Sequence, residues 1–440
     1  MLPQYEDWSV LDNFEESDRD DWADPLKRIA LDADGDWRLS IGGRVRFRVE
    51  GTNGFGFDAA APARTDDIFY LGVAFLHFDL NYRADTRLFL QGKSADVWDR
   101  ELPGGSRPID EDPLDLQQAF LQHRFDAGAD GSLTIRLGRQ MLAYGHQRLI
   151  SPLPWANVYR TWDGALASWK TDEWRTDLFA TQFVPIDQNN FNDTGDDELI
   201  GAYATRMRDL GSRDEEIDLY VLSHQRDEAA FNGTTGSDRR LTVGFRHNRP
   251  ATPETLDHDF EFAYQFGELS TGDVSAWTLG TELGYQLESG PITRLRGGVE
   301  IGSGDRNPGG NVQTFDPPYT LGHAYFGIVD AIGRQNSIDL FFGPQFELGR
   351  GNKAFITVHQ FWKTEIEDAI YNVAGVAYPG TAGNTSRNVG QEIDLVVRRK
   401  VNRHWNLECG YGHFFTASAF EDAGFDMDQD FIYAMATLSF

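Results

Sequence analysis

From about residue 36 to the end, strand-like runs of roughly ten residues alternate apolar and polar side chains, and the connectors between them alternate short and long. No other feature restricts the fold as much. Period two marks a strand with one face in apolar surroundings and the other in polar ones. The short connectors are 83–86, 126–131, 171–173, 209–214, 288–291, 349–352 and 401–404. The long, polar, Gly/Pro/Asp-rich ones are 51–68, 99–114, 141–160, 186–197, 227–239, 303–336, 365–388 and 416–430. Two depart from the rhythm: 249–257 is longer than its class, and the connector before 274 is short. Tight turns at one end and long loops at the other are the arrangement of an outer-membrane barrel.

The expected fold is therefore all-β: a transmembrane antiparallel β-barrel of about 18 strands over 36–440. A lead segment, 1–35, precedes it and is read as tucked at the periplasmic mouth. An even strand number puts both termini on the periplasmic side. The closing stretch DFIYAMATLSF fits, with Ile432, Ala434, Ala436, Leu438 and Phe440 on one parity. Such a last strand pairs with the first and leaves no sheet edge. Helical periodicity is scarce; its best candidate is 324–334.

Composition narrows the class. Mean hydropathy is −0.47, and no apolar run approaches the roughly 20 residues of a membrane helix. A barrel escapes that test because its strands average polar with apolar. The formal net charge of −29 argues against nucleic acid as a partner, since phosphate binding needs a basic footprint. It fits solvated loops, or loops that take divalent or lipopolysaccharide-bridging cations. The single cysteine, Cys409, excludes an intrachain disulfide. Asp32, Asp34 and Asp36 resemble part of a calcium loop but lack its glycine and closing glutamate, so a turn is expected there. No cofactor or metal is expected. MLPQYEDW has neither the basic nor the apolar region of a signal peptide, so the expectation is a mature outer-membrane chain restarted with methionine.

Parity assigns the faces. Val45, Phe47 and Val49 point one way, and Arg44, Arg46 and Arg48 the other. Arginine at the bilayer midplane costs about 2–4 kcal/mol, so the arginines face the lumen. The same rule sends Phe260, Phe262, Tyr264, Phe266, Leu88, Leu90, Leu295, Ile393 and Leu395 outward. It sends Arg87, Gln91, Lys93, Arg136, Glu261, Gln265, Arg294, Arg296, Glu300, His359, Lys363, Glu392, Asp394 and Arg398 inward. Inward charges can brace the wall as ion pairs or guide an anion as fixed positive sites. Unpaired arginines at a constriction would separate the two readings.

The stretch LGRQMLAYGHQRLISPLPWANVYRTWDGA (137–165) resembles the alginate-export family of outer-membrane barrels. Gly138, Arg139, Gln140, Gly145, Arg148, Leu149, Trp155, Asn157, Arg160, Asp163 and Gly164 carry the likeness. So do Gly42, Gly43, Arg46, Arg48 and Glu50, together with GSGD (302–305), GHAYFGIVDAIGRQN (322–336) and GQEID (390–394). The resemblance spans about 37–440 and implies an 18-stranded monomer with a narrow electropositive lumen. It adds Arg139, Arg148, Arg160 and Asp163 to the candidate pathway. Simple alternation from Leu133, Ile135 and Leu137 sends Arg139 outward, so either the strand bulges near Gly138 or Arg139 lies above the hydrocarbon.

The leading functional expectation is a channel for anionic saccharides, either alginate-like polymer or oligomers. The alternative is a general porin whose charges are structural. An enzyme is not expected: no G-x-S-x-G, H-E-x-x-H or P-loop occurs, and His323 with Asp330 is a weak pair. Trp155, Trp162 and Trp169 are read as interface aromatics or as stacking platforms for sugars. Expected partners are outer-membrane lipid and lipopolysaccharide, the saccharide itself, and a periplasmic export or scaffold protein that no motif identifies.

Overall fold

The computed structural model describes residues 2–9, 11, 21–58, 65–128, 131–209 and 214–440. Parts of the lead segment, of the connector 51–68 and of the turns 126–131 and 209–214 lie outside the described residues. Eighteen long strands form the wall. They are β1 (Trp37–Asn53), β2 (Asp67–Tyr82), β3 (Thr86–Trp98), β4 (Asp112–Asp126), β5 (Ser132–Gln140) and β6 (Trp162–Lys170). Then come β7 (Trp174–Phe183), β8 (Glu198–Asp209), β9 (Asp214–Phe231), β10 (Thr234–Arg249), β11 (Leu256–Leu269) and β12 (Gly272–Gln286). The circuit ends with β13 (Ile292–Gly302), β14 (Ser337–Glu347), β15 (Asn352–Lys363), β16 (Asn388–Lys400), β17 (Trp405–Thr416) and β18 (Gln429–Ser439).

Each strand pairs antiparallel with the next, and β18 pairs with β1 from Asp430 opposite Asn53 to Ser439 opposite Arg44. The sheet is a closed barrel. Phe440 extends the seam by exchanging backbone hydrogen bonds with Gly43 at 2.9 and 3.0 Å. Below that point the edge of β1 is covered by the two-residue strand Ile29–Ala30, which pairs with Leu39 and Arg38. The lead segment thus completes an edge that β18 is too short to reach.

The lead segment also enters the barrel. Gln4 is buried; its amide donates to the Met141 carbonyl, and its own carbonyl accepts from Arg87. Further along, Asp21 and Asp24 pair with Arg403 at the short turn after β16.

The faces follow parity. Val45, Phe47, Leu88, Leu90, Tyr264, Phe266, Leu295, Ile393 and Leu395 are exposed on the outer wall. Arg46, Arg48, Lys93, Arg136, Glu261, Gln265, Glu392 and Asp394 are buried inside. The inner face is not uniformly polar, however. On β2 the buried set is Phe69, Leu71, Val73 and Phe75, because long loops fold into the lumen and cover it.

Three expectations are corrected. The connector 227–239 is not a long loop: β9 runs to Phe231, β10 starts at Thr234, and Asn232–Gly233 turns between them. Both turn residues have positive φ, +42° and +85°, as an Asn-Gly hairpin turn requires. The stretch 324–334 is not helical; only Gly322–Ala324 makes a 3-10 turn, since Gly327 and Asp330 adopt φ of +81° and +61°. Trp162 is no interface aromatic. It is fully buried against Tyr319, whereas Trp169 is exposed on the outer wall.

Candidate functional site

Three long connectors, 141–161, 303–336 and 364–387, turn inward and roof the lumen. Their apolar residues give the reason. Leu149, Ile150, Val312, Phe315, Tyr319 and Tyr371 pack with Trp162, Leu166, Phe179 and Tyr203 of the wall. Two of the connectors zip together: Ser151 N–H donates to the Tyr319 carbonyl, and Tyr319 N–H to the Leu149 carbonyl, both at 2.8 Å. Backbone buried in this way needs partners for its polar groups, and charged side chains of the wall supply many of them.

Arg46 and Arg48 of β1 do this for residues 154–156. Arg46 donates to the Pro154 carbonyl at 2.7 Å and the Ala156 carbonyl at 2.5 Å. Arg48 donates to the Trp155 carbonyl at 2.6 Å, lies 4.0 Å over the Trp155 ring and pairs with Glu50. Arg44 reaches the Tyr159 hydroxyl at 3.3 Å. On the same loop, the Asn157 amide donates to the carbonyls of Gly72, Asp96 and Asp110. Lys363 plays the same part for the third connector, donating to the carbonyls of Ile366 and Thr381 and to Asn384. Glu392 and Asp394 accept the backbone N–H groups of Val329 and Ile328.

A continuous ion-pair network runs along the inner wall from β9 to β13 and takes in two roof arginines. Arg246 on β10 bonds Asp218 at 2.9 Å and Asp259 at 2.7 Å. Asp259 and Glu261 on β11 meet Arg148 of the loop, which bonds Glu300 at 3.0 Å. Glu300 also takes Arg334 at 2.8 Å. Burial alone would lower the pKa of Arg148; the carboxylates around it reverse that and hold it well above the ordinary range. Arg160 lacks such support. Among the described residues its guanidinium bonds the Thr320 carbonyl and no carboxylate, and burial pulls its pKa down to about 10.

The remaining candidates lie along the wall. Arg294 pairs with Asp257 and with Glu282, and Arg296 with Glu282 at 2.8 Å. Arg87 pairs with Asp79, Lys93 with Asp112, and Arg136 donates to Gln122. Arg139 and Asp163 form a pair of their own near the rim. They face each other across β5 and β6 on the parity of exposed Leu137, bonded twice at 2.9 Å. The loop 184–197 closes over them, through Asn192 and Thr194. They clamp that loop to the wall, and Arg139 also lies 3.6 Å from the buried carboxylate of Asp115 on β4.

A cavity of about 520 Å³ opens on the β12–β18 side. Four arginines (Arg46, Arg148, Arg296, Arg398) and four carboxylates (Glu282, Glu300, Asp394, Glu408) line it. The arginines are not equivalent. Arg46 and Arg148 are spent on the roof, whereas the Arg296 and Arg398 side chains stay 23 and 56% exposed, each on one carboxylate. In the roof Trp155 stacks on His323, centroids 3.6 Å apart and planes 10° apart, and His323 bonds Asp330 at 3.1 Å. Phe341, Phe355 and Tyr433 add aromatic surface. The sequence reading missed Arg246, Asp259, Glu282 and Arg334. Parity could have found the first three; Arg334 sits in a loop and carries no parity.

One consequence concerns pH. Asp368, in the third connector, accepts from the Thr314 and Tyr371 hydroxyls and from the Asp305 and Ala369 N–H groups. Burial nonetheless raises its pKa above its ordinary value, and that of Asp305 as well. An acid whose pKa is raised by folding holds its proton more tightly when folded. The packed roof is therefore penalised as pH rises through the raised value, and the penalty is absent below the unfolded one. Protease cleavage within 364–387 is expected to slow on moving from neutral to mildly acidic pH. Asp368→Asn should flatten that dependence; an unchanged slope would assign it to other groups.

The model of the alginate-export family (Alginate export) matches residues 37–432, and the chain belongs to this family. No curated protein sequence matches it. Among solved structures it is similar to OccK1 (OpdK) of Pseudomonas aeruginosa, with a TM-score of 0.61 and 12% identity, over 91% of this chain and 98% of that one. It is similar to a BenF-like porin from Pseudomonas fluorescens, at 0.59 and 11%, over 91% and 99%. It is likewise similar to OccAB1 of Acinetobacter baumannii, at 0.58 and 12%, over 95% and 99%. The chain is an outer-membrane barrel of the porin type, and its class of activity is channel transport.

Proposed function

We propose that the barrel passes anionic saccharides, uronate polymers or oligomers, through the 520 Å³ cavity. The observation that carries this reading is the pairing of part-exposed guanidinium groups, on Arg296 and Arg398, with the aromatic rings of Phe341 and Phe355. A uronate presents both matching surfaces. Its carboxylate takes a planar guanidinium fork, and its apolar ring face lies on an aromatic side chain. Each guanidinium already holds one carboxylate, so an incoming uronate competes for it and leaves again, as conduction requires. The other arginines brace walls and roof. That observation favours the second reading, a general porin with structural charges.

Planar-bilayer recording under a potassium chloride gradient separates the two. Anion preference and block by oligouronates are expected, with block weakened about tenfold in Arg296→Ala/Arg398→Ala, since a charged hydrogen bond contributes roughly 1.5–3 kcal/mol. Cation preference without block would leave the general porin.

A further inference from the structure

The outer wall around the closure seam carries two adjoining hollows, of about 480 and 350 Å³, which share Val49, Val397, Cys409 and Ala434. Register explains them. Val397, Cys409, Ala434 and Val49 form one row across β16, β17, β18 and β1. The small side chains in its middle leave a trough. The next row toward the loops holds Leu395, Tyr411 and Ile432, exposed beside Gly51. The next row toward the short turns holds Arg399, Leu407, Ala436 and Phe47. Four residues along a strand span roughly 13 Å, less than half of the ~30 Å hydrocarbon core. The trough therefore lies within one leaflet, on the periplasmic side, where the short turns are.

Its lower end is charged. Arg398 turns inward to Glu408, but Arg399 has the outward parity and stands opposite Asn352. Arg399 is exposed and forms no ion pair among the described residues. An apolar trough that ends at an unneutralised guanidinium matches one ligand chemistry: an acyl chain carrying a phosphate. Arginine takes phosphate oxygens in a planar fork, and basic side chains at the interface attract lipid headgroups. We propose that this trough is a binding site for one phospholipid of the periplasmic leaflet, with an acyl chain over Cys409 and Ala434 and its phosphate on Arg399.

The test is native mass spectrometry of the full chain loaded with phosphatidylglycerol. One lipid is expected to remain on the wild type at collision energies that strip the others. Ala434→Leu/Ala436→Leu fills the trough and should cut the retained fraction about tenfold, a change of roughly 1.4 kcal/mol. Arg399→Gln should lower it several-fold. Ala204→Leu, a small-to-large change on the outer parity of β8, should have no effect. Heat-modified migration of each variant confirms that the barrel is folded. The proposal falls if the wild type retains no lipid, or if Ala204→Leu acts as strongly as the trough variants. It falls equally if the wild type is a dimer that Ala434→Leu/Ala436→Leu dissociates, because a second copy would then cover the wall.

Discussion

Arg46→Ala/Arg48→Ala is expected to give a channel of higher conductance and noisier current than the wild type. Wide-pore reasoning alone would predict weaker anion preference and little else. The structure points elsewhere because these guanidiniums donate to three consecutive loop carbonyls, those of Pro154, Trp155 and Ala156. Hydrogen bonds from charged groups contribute roughly 1.5–3 kcal/mol each, and losing the donors leaves buried carbonyls unmet. Trp155 also loses the cation over its ring, and with it a support for the stack on His323. The roof segment then moves on the recording timescale and the cavity beneath it opens. Arg48→Lys keeps the charge but not the planar fork, so it should fall between wild type and alanine. Among the described residues the Arg44 guanidinium bonds the Tyr159 hydroxyl alone, so Arg44→Ala should stay close to wild type. Unchanged conductance in the double variant would mean that Asn157 and the Ile150–Tyr319 bridge hold the loop by themselves. Lost anion preference without a conductance rise would return both arginines to direct contact with solute.

The wall was legible in the sequence because period two is imposed residue by residue. RVRFRV can place Val45 and Phe47 in lipid only by placing Arg44, Arg46 and Arg48 inside, and the structure does so. The roof was not legible. The partners of Arg46 are backbone carbonyls more than a hundred residues away, and backbone carries no sequence signal. Trp162 shows the same limit. Its fully buried setting is made by Tyr319 of another loop, and aromatic residues near strand ends suit either interface. Arg139 was ambiguous for a local reason: Gly138 and Gly164, at φ of +124° and +154°, distort the wall beside it without reversing parity. The hairpin at Asn232–Gly233 was within reach, since Asn-Gly is a strong turn signal. Its polar flanks resembled a loop because strands that rise beyond the bilayer need no apolar face.

Glu300 is where the largest loss of stability is expected. It is fully buried on β13 and binds two buried guanidiniums, Arg148 at 3.0 Å and Arg334 at 2.8 Å. Glu300→Gln keeps shape and removes charge. It leaves Arg334, which has no other carboxylate among its ion pairs in the described residues, as an uncompensated charge beside the Tyr325 and Phe326 rings. Removing one partner of a buried pair typically costs 3–5 kcal/mol. Arg148 keeps Asp259 and Glu261 and should lose less. The expected result in urea titration of vesicle-inserted protein is a lower midpoint for Glu300→Gln, with premature cleavage in the roof loops that Arg148 and Arg334 anchor. Because the penalty is an orphaned charge and not a lost attraction, Glu300→Gln/Arg334→Gln should be more stable than Glu300→Gln alone. That sign decides the matter: if the second substitution adds to the damage, Glu300 and Arg334 act through separate contacts, and the network is a set of independent pairs.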